Sequence, residues 1–453
     1  MQKGFRFETD KCVGCHACIV ACGIENDTAP GFNFRSVLTY NPSIMSEIKH
    51  YHLSMACNHC LSPPCVENCP AGAITRDTEN GSVRINEKLC IGCSYCTWVC
   101  PYDAPVLSPE KGVMTKCDMC AERREEGLNP ACVTVCPTGA LTFEDMNPEE
   151  ASQEIPFIPD TPYEPALIAE APGKIESLSI QYINTYPDEM IKMYAGDPEK
   201  REQKISAKKE WPLLLFTLLI SFLGALLGGN FLSGIPLDPV VFGIAGTAGI
   251  AVTLAHLGKK LRFVNMIKNI RSSWLSREAF FFPVFLFFSM LQLYGIFKPF
   301  SGIIALGFSL LTALSGDMLY LRIFTLRKKA VHSSQITLTL LFILTLLTGY
   351  VPGIIFFSLV KSSLYIKRKA GKKICLFSCY IRAFWRITAG ILLPSVCIIF
   401  FPEVSIVLIL IIVLSGELTD RWEFYNELDV ITPGILMDQI LKDDLAGRTE
   451  PEK

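Results

Sequence analysis

Hydropathy divides this chain near residue 211. Beyond it, apolar runs recur at 213–231, 237–257, 279–297, 301–321, 336–360, 387–401 and 404–414. Most come close to the ~20 residues that a helix needs to cross a hydrocarbon layer. Several such runs in series, punctuated by Lys/Arg loops, are a poor match to the buried helices of a soluble core. They predict seven spans, with an eighth possible in 336–391, where Gly349 and Pro352 interrupt one run and Arg382 and Arg386 the next. The last span extends past Leu414 to include Glu417 and Asp420. The N-terminal part has another pattern. Short strand-like stretches lie at 5–7, 83–85 and 141–143, and Asn80-Gly81 reads as a hairpin turn. The stretch 151–210 is proline-rich and acidic (Pro156, Pro159, Pro162, Pro165, Pro172), then charged up to Lys208-Lys209-Glu210. This composition predicts a linker wrapping the N-terminal domain, without a core of its own. The expected division is a domain at 1–150, a linker at 151–210, a membrane bundle at 211–425 and a polar tail at 426–453.

Cysteine changes the picture most. Sixteen of nineteen cysteines form four groups of four: Cys12, Cys15, Cys18, Cys22; Cys57, Cys60, Cys65, Cys69; Cys90, Cys93, Cys96, Cys100; and Cys117, Cys120, Cys132, Cys136. The first and third have the C-x2-C-x2-C-x3-C spacing of a cubane iron–sulfur site. The second and fourth stretch one gap to four and eleven residues but keep C-x2-C at the start and C-x3-C at the end. Three thiols on one tight loop suit a metal cube better than disulfides to distant partners. Zinc sites more often use two separated C-x2-C pairs, with or without His. Sixteen thiolates satisfy four [4Fe–4S] clusters. Proline follows Cys69, Cys100 and Cys136, as in bacterial ferredoxins, while Gly23 follows Cys22. Pro70-Ala71-Gly72-Ala73-Ile74 recurs as Pro137-Thr138-Gly139-Ala140-Leu141, and Cys12-Val13-Gly14-Cys15 as Cys90-Ile91-Gly92-Cys93. The fold class expected is an α+β ferredoxin-like double module, one half inserted in the other, followed by an all-α membrane bundle of seven or eight helices. Cys375, Cys379 and Cys397 lack cluster spacing and read as small apolar fillers.

Charge adds orientation. The linker end and the loops at 258–277 and 322–329 are basic, whereas those at 230–236 and 298–300 carry one Lys between them. The positive-inside rule then puts the cluster domain in the cytoplasm, on a bacterial inner membrane. The absence of a signal peptide or twin-arginine stretch before Cys12 agrees with that expectation. The net charge of −2 points to no particular partner, and no feature calls for nucleic acid.

A membrane anchor could tether such an electron wire or feed it from a quinol. Quinol oxidation releases protons as well as electrons, so it requires a proton acceptor at the membrane surface. His256 ends the second run, Glu278 opens the third, and Arg262 and Asn265 lie between. Each taken singly also fits an interfacial anchor. The membrane half holds His256 and His332, neither mid-span, so no bis-histidine haem is expected.

Residues 1 to about 200 resemble the four-cluster electron-transfer subunit of the dimethyl sulfoxide reductase family, on the cysteine groups above. Residues 211 to about 425 resemble that family's membrane anchor, on Glu210-Trp211-Pro212-Leu213, His256-Leu257-Gly258, Arg262, Phe263, Asn265, Leu275-Ser276-Arg277-Glu278, Gly416-Glu417-Leu418, Arg421, Phe424 and Tyr425. The chain thus looks like a fusion of two subunits. The resemblance implies crossed ligation: Cys12, Cys15 and Cys18 with Cys136; Cys117, Cys120 and Cys132 with Cys22; Cys57, Cys60 and Cys65 with Cys100; Cys90, Cys93 and Cys96 with Cys69. It implies oxidation of menaquinol from the menaquinone pool at His256, with Arg262, Glu278, Glu417 and Arg421 at motif positions. It also implies a separate molybdopterin catalytic subunit reducing dimethyl sulfoxide or a related S- or N-oxide, the chain itself being a non-catalytic redox subunit. The family often works on the outer face, which leaves sidedness open against the loop charges. Reverse flow from a formate or hydrogen dehydrogenase to quinone is the alternative, and a redox sensor or tether is another.

Overall fold

A computed structural model describes residues 2–29, 32–42, 49–146, 158, 161–170, 205–255, 257–323, 331–370, 377–401, 403–428 and 432–447. His256, Cys375 and most of the expected linker lie outside the described residues. The chain divides into two compact units, Met1–Glu202 with Val430–Lys453, and Gln203–Asp429.

In the first unit, β1 (Gln2–Glu8) is the middle strand of a three-stranded sheet. It pairs antiparallel with β8 (Leu141–Met146), Phe5 opposite Phe143, and parallel with β9 (Leu167–Glu170), Phe5 beside Leu167. The alternation of β1 sends Phe5 and Phe7 into the core, 3% and 1% exposed. Two-stranded ribbons follow: β2 (Ser36–Tyr40) with β3 (Tyr51–Met55), β4 (Ile74–Arg76) with β5 (Val83–Ile85), and β6 (Val106–Leu107) with β7 (Met114–Thr115). The strands expected at 5–7, 83–85 and 141–143 are therefore β1, β5 and β8. Asn80-Gly81 turns between β4 and β5 with Gly81 at φ +75°, and a Cβ there would stand 2.0 Å from Gln2 Oε1. Among the described residues, five short helices lie between the strands: α1 (Ala17–Glu25), α2 (Pro64–Glu67), α3 (Tyr95–Val99), α4 (Ala121–Glu125) and α5 (Ala131–Thr134).

The expected polar tail is corrected. Its described part beyond residue 431 is a helix, Pro433–Gly447, whose Met437 and Leu441 join the core of Phe5, Phe7 and Leu53. The Tyr40 hydroxyl donates to the Asp444 carboxylate. Met437, Ile440 and Leu441 give this helix its packing face, with Asp438, Gln439, Lys442, Asp443 and Asp444 between and after them.

The second unit is helical: α6 (Trp211–Ser233), α7 (Pro239–Ala255), a 3-10 segment (Lys260–Ile267), α8 (Trp274–Leu293), α9 (Phe300–Leu321), α10 (Ile336–Thr348), α11 (Val351–Ala370), α12 (Phe377–Ile387) continuing through a π turn into α13 (Leu393–Phe400), and α14 (Ile406–Asn426). The helix Pro433–Gly447 of the first unit is then α15. Among the described residues, Trp211–Ser233, Trp274–Leu293, Phe300–Leu321 and Tyr380–Phe400 are long and apolar enough to cross a membrane. Pro239–Ala255 with Lys260–Ile267, bent by 104°, is a broken span or a re-entrant loop. The chain is a membrane protein, with fewer such helices than the seven or eight expected. The run at 336–360 is cut where Gly349, at φ +65°, ends α10 after 13 residues. Both α11 and α14 are long enough but carry charge, α11 through Lys361, Lys367, Arg368 and Lys369, α14 through Glu417, Asp420, Arg421 and Glu423.

Two glycines let the π turn and α14 meet backbone to backbone. A Cβ on Gly416 would stand 2.4 Å from the Gly390 Cα. That close approach brings Arg386 within reach of Glu417 and Asp420.

Candidate functional site

The cysteine loops repeat one backbone device. In the first C-x-x-C of each group, the residue before the second cysteine has positive φ: Gly14 (+63°), His59 (+43°), Gly92 (+68°) and Met119 (+66°). Two of the four are not glycine, and holding a side chain there costs of order 1–3 kcal/mol. The turn folds the loop so that its cysteines and amides face one centre. Met119 N donates to Cys117 Sγ at 3.4 Å, and Ala73 N to Cys69 Sγ at 3.3 Å.

The groupings that result are not those of sequence order. One hollow is lined by Cys12, Cys15, Cys18 and Cys136, another by Cys57, Cys60, Cys65 and Cys100. Burial pushes the Cys12 thiol up, with Cys18, Cys136 and Cys15 adding to the rise. Burial likewise raises Cys60, helped by Cys57, Cys100 and Cys65. Cys96 is raised by burial and by Cys93, Cys65, Cys69 and Cys90. Cys22 is pushed up to about 11, by burial first and then by Cys132 and Cys120, against the opposing pull of Arg35. Each group's last cysteine thus keeps company with the first three of another group. Neighbouring sets also touch electrostatically, Cys117 with Cys57 and Cys96 with Cys65. Thiols clustered in this way fit [4Fe–4S] cubes, which carry one electron each when bound.

Two buried cations stand among these thiols, and the sequence reading did not single them out. Arg35, 3% exposed, donates from Nη1 to Ser54 Oγ at 3.0 Å and lies 4.8 Å over the Phe5 ring. Lys116, 6% exposed, donates to the carbonyls of Val83 and Cys117. The one signal for Lys116 was its place directly before Cys117.

The helical unit holds a cavity of about 390 Å³, within the size range of small-molecule sites. Leu213 and Phe216 of α6, Leu254 of α7, Phe263 and Met266 of the 3-10 segment, and Phe282 of α8 are among its walls. Among the described residues Glu278 is the single ionisable group in the lining. It is 4% exposed, and it makes no hydrogen bond or ion pair among the described residues. Its carboxylate packs on Gly316, where a Cβ would lie 3.4 Å from Oε1.

Of the other expected quinol-site residues, Arg262 and Asn265 share the 3-10 segment with the lining residues Phe263 and Met266 but do not line the cavity. Glu417 and Arg421 do not line it either. The Glu417 carboxylate accepts from Arg386 Nη2 at 2.9 Å and lies 3.2 Å from Lys361 Nζ. Asp420 takes Arg386 Nε at 3.0 Å and Arg368 Nη2 at 2.7 Å. Arg421 donates to Ser334 O at 3.1 Å and to Ser221 Oγ at 3.1 Å. Lys361, Arg386, Glu417 and Asp420 are all fully buried. Glu417 and Asp420 thus balance Lys361, Arg368 and Arg386, whereas Arg421 is held by neutral oxygens.

The thiol sets define a ferredoxin-type iron–sulfur protein that carries electrons. Residues 48–146 match the family described as the 4Fe-4S dicluster domain. Over 155 residues the sequence is 40% identical to a component of the anaerobic dimethyl sulfoxide reductase of Haemophilus influenzae, across 32% of this chain and 75% of that one. It is 43% identical over 143 residues to the thiosulfate reductase electron transfer subunit PhsB of Salmonella typhi, across 31% and 74%. Against a component of the tetrathionate reductase of Salmonella typhimurium it is 41% identical over 138 residues, across 30% and 55%. This protein belongs to the family of dimethyl sulfoxide reductase iron–sulfur subunits.

Proposed function

We infer that this chain fuses that electron-transfer subunit to a quinol-oxidising anchor. It takes electrons from menaquinol and relays them through four [4Fe–4S] clusters to a separate molybdopterin reductase acting on an S- or N-oxide or a related sulfur oxyanion. The observation that carries the quinol half is Glu278, a buried carboxylate without a partner in an apolar cavity. A hydrocarbon-walled pocket with one polar group suits a ring whose hydroxyl must be oriented and deprotonated. Its aromatic walls exclude water, and Glu278 takes a proton from the hydroxyl it faces. His256, which the family resemblance assigns to the same site, takes the second.

In the cluster half, Cys12, Cys15, Cys18 and Cys136 would hold one cluster and Cys22, Cys117, Cys120 and Cys132 a second. Cys57, Cys60, Cys65 and Cys100 would hold a third, and Cys69, Cys90, Cys93 and Cys96 a fourth. Each bound cluster supplies one-electron chemistry, which divides the quinol's two electrons into single steps.

The test is electron paramagnetic resonance on anaerobic membranes before and after a menaquinol analogue is added. Wild type should show several clusters reduced by quinol. Glu278→Gln should lose that response and keep reduction by dithionite. Equal quinol-driven rates in the two proteins would refute the site.

A further inference from the structure

We propose that Lys116 is a counter-cation shared by two neighbouring cluster sites, raising the electron affinity of both. The inference rests on reading the thiol sets as [4Fe–4S] sites. Lys116 connects β7 to Cys117, and its buried ammonium has contacts on both sides of a junction. It lines the same hollow as Cys57, Cys60, Cys65 and Cys100. On its other side it donates to the carbonyl of Cys117, a cysteine of the adjoining set, at 2.8 Å.

Among the described residues no carboxylate lies within ion-pair distance of Lys116. Its exposed neighbour Lys111, by contrast, pairs with Glu87 at 3.0 Å. A buried ammonium with no anion is among the costliest arrangements in a protein interior. The carbonyls of Val83 and Cys117 orient it but bring no formal charge. The anions that balance it are then the thiolate-bound clusters on either side. A fixed positive charge beside a cluster favours the added electron, and the attraction is weakly screened where water is excluded. Because one ammonium serves two sites, it raises both together and keeps the step between them shallow. Lys116 is thus a positioning residue for electrons, set apart from the ligands themselves.

The experiment is a redox titration followed by electron paramagnetic resonance, with iron quantified, on the full membrane-bound chain. Wild type is compared with Lys116→Gln and Lys116→Arg. Gln keeps a donor for the carbonyls and removes the charge. With iron at the wild-type level, Lys116→Gln should bind the electron at least tenfold more weakly at two clusters, a fall of about 59 mV for a one-electron step. The other two clusters should not move, and Lys116→Arg should titrate as wild type does. Unchanged potentials at full iron would overturn the proposal. Iron lost from the Gln protein and kept in the Arg protein would uphold it, since the charge would then be needed to hold the clusters at all. Iron lost from both would assign Lys116 to packing and overturn it. A wild-type iron content too low for four clusters would overturn the underlying cluster reading, a failure distinct from the others.

Discussion

Replacing Glu417 separates a structural carboxylate from a quinol-site one. In Glu417→Gln the side chain keeps its shape but loses its charge. Lys361 is then left with the Ser333 carbonyl at 2.7 Å and Thr339 Oγ1 at 3.0 Å, and with no carboxylate. Arg386 retains Asp420 at 3.0 Å, so one cation is stranded and the other is not. Removing one member of a buried pair costs about 3–5 kcal/mol. The Gln carbonyl still accepts a hydrogen bond, which puts the cost at the lower end, about 3 kcal/mol. For a helical unit of this size that corresponds to a fall in Tm of roughly 6–12 °C. Thermal unfolding in detergent measures it, and the double variant Lys361→Met/Glu417→Gln should recover most of the loss, because no lone charge remains. Quinol-driven cluster reduction below the transition should keep its wild-type rate, since Glu417 does not line the cavity. An unchanged Tm together with weakened quinol kinetics would refute the reasoning and return Glu417 to the quinol site.

Three further outcomes follow from the cluster unit. Cys136→Ser should disturb the cluster held by Cys12, Cys15 and Cys18; a change confined to the Cys117, Cys120 and Cys132 signal would mean that ligation is not crossed. Leu441→Ala should destabilise this unit by about 2–5 kcal/mol through the cavity it leaves, read as earlier proteolysis of residues 1–146 at rising temperature. Iron retention in chelator should rise with pH. Burial lifts Cys22 to about 11 and Cys93 to about 12 in the metal-free fold, so these thiols carry protons at neutral pH that loading must expel. Acidification therefore favours cluster loss, and iron retention that was flat or fell with rising pH would contradict the assignment.

The cysteine groups were legible because cluster spacing is local: three ligands sit on one loop, and the loop is written contiguously. Crossed ligation was not legible from spacing, because which distant Cys136 or Cys100 completes a set depends on how β1 and β8 bring the chain ends together. Resemblance supplied that pattern as an expectation; in the structure Cys136 shares a hollow with Cys12, Cys15 and Cys18, and Cys100 one with Cys57, Cys60 and Cys65. In the helical unit, hydropathy found the apolar runs and misjudged the charged ones. Arg386 read as an interruption of a span, yet it is fully buried because two acids 31 and 34 positions away meet it across the Gly390–Gly416 contact. Lys361 was missed for the same reason, its partner Glu417 being 56 positions distant. The C-terminal helix carried a local signal, apolar residues at 437, 440 and 441, hidden in a segment whose composition is polar.

Glu278 and Glu417 look alike in sequence, each a carboxylate at a motif position in an apolar stretch, and partnership separates them. A charge in a low-dielectric interior must be neutralised, paired or supplied with a ligand, since desolvation alone costs several kcal/mol. Glu417 meets that demand internally, through two cations within 3.2 Å. Glu278 does not: it faces an apolar cavity and makes no hydrogen bond or ion pair among the described residues, so proton uptake or a ligand hydroxyl must satisfy it. The same criterion selects Lys116 and Arg35 in the cluster unit, buried cations with no carboxylate within ion-pair distance among the described residues. A buried charge that the protein does not balance is thus a place to look for something the protein holds, and Glu278 and Lys116 each stand at such a place.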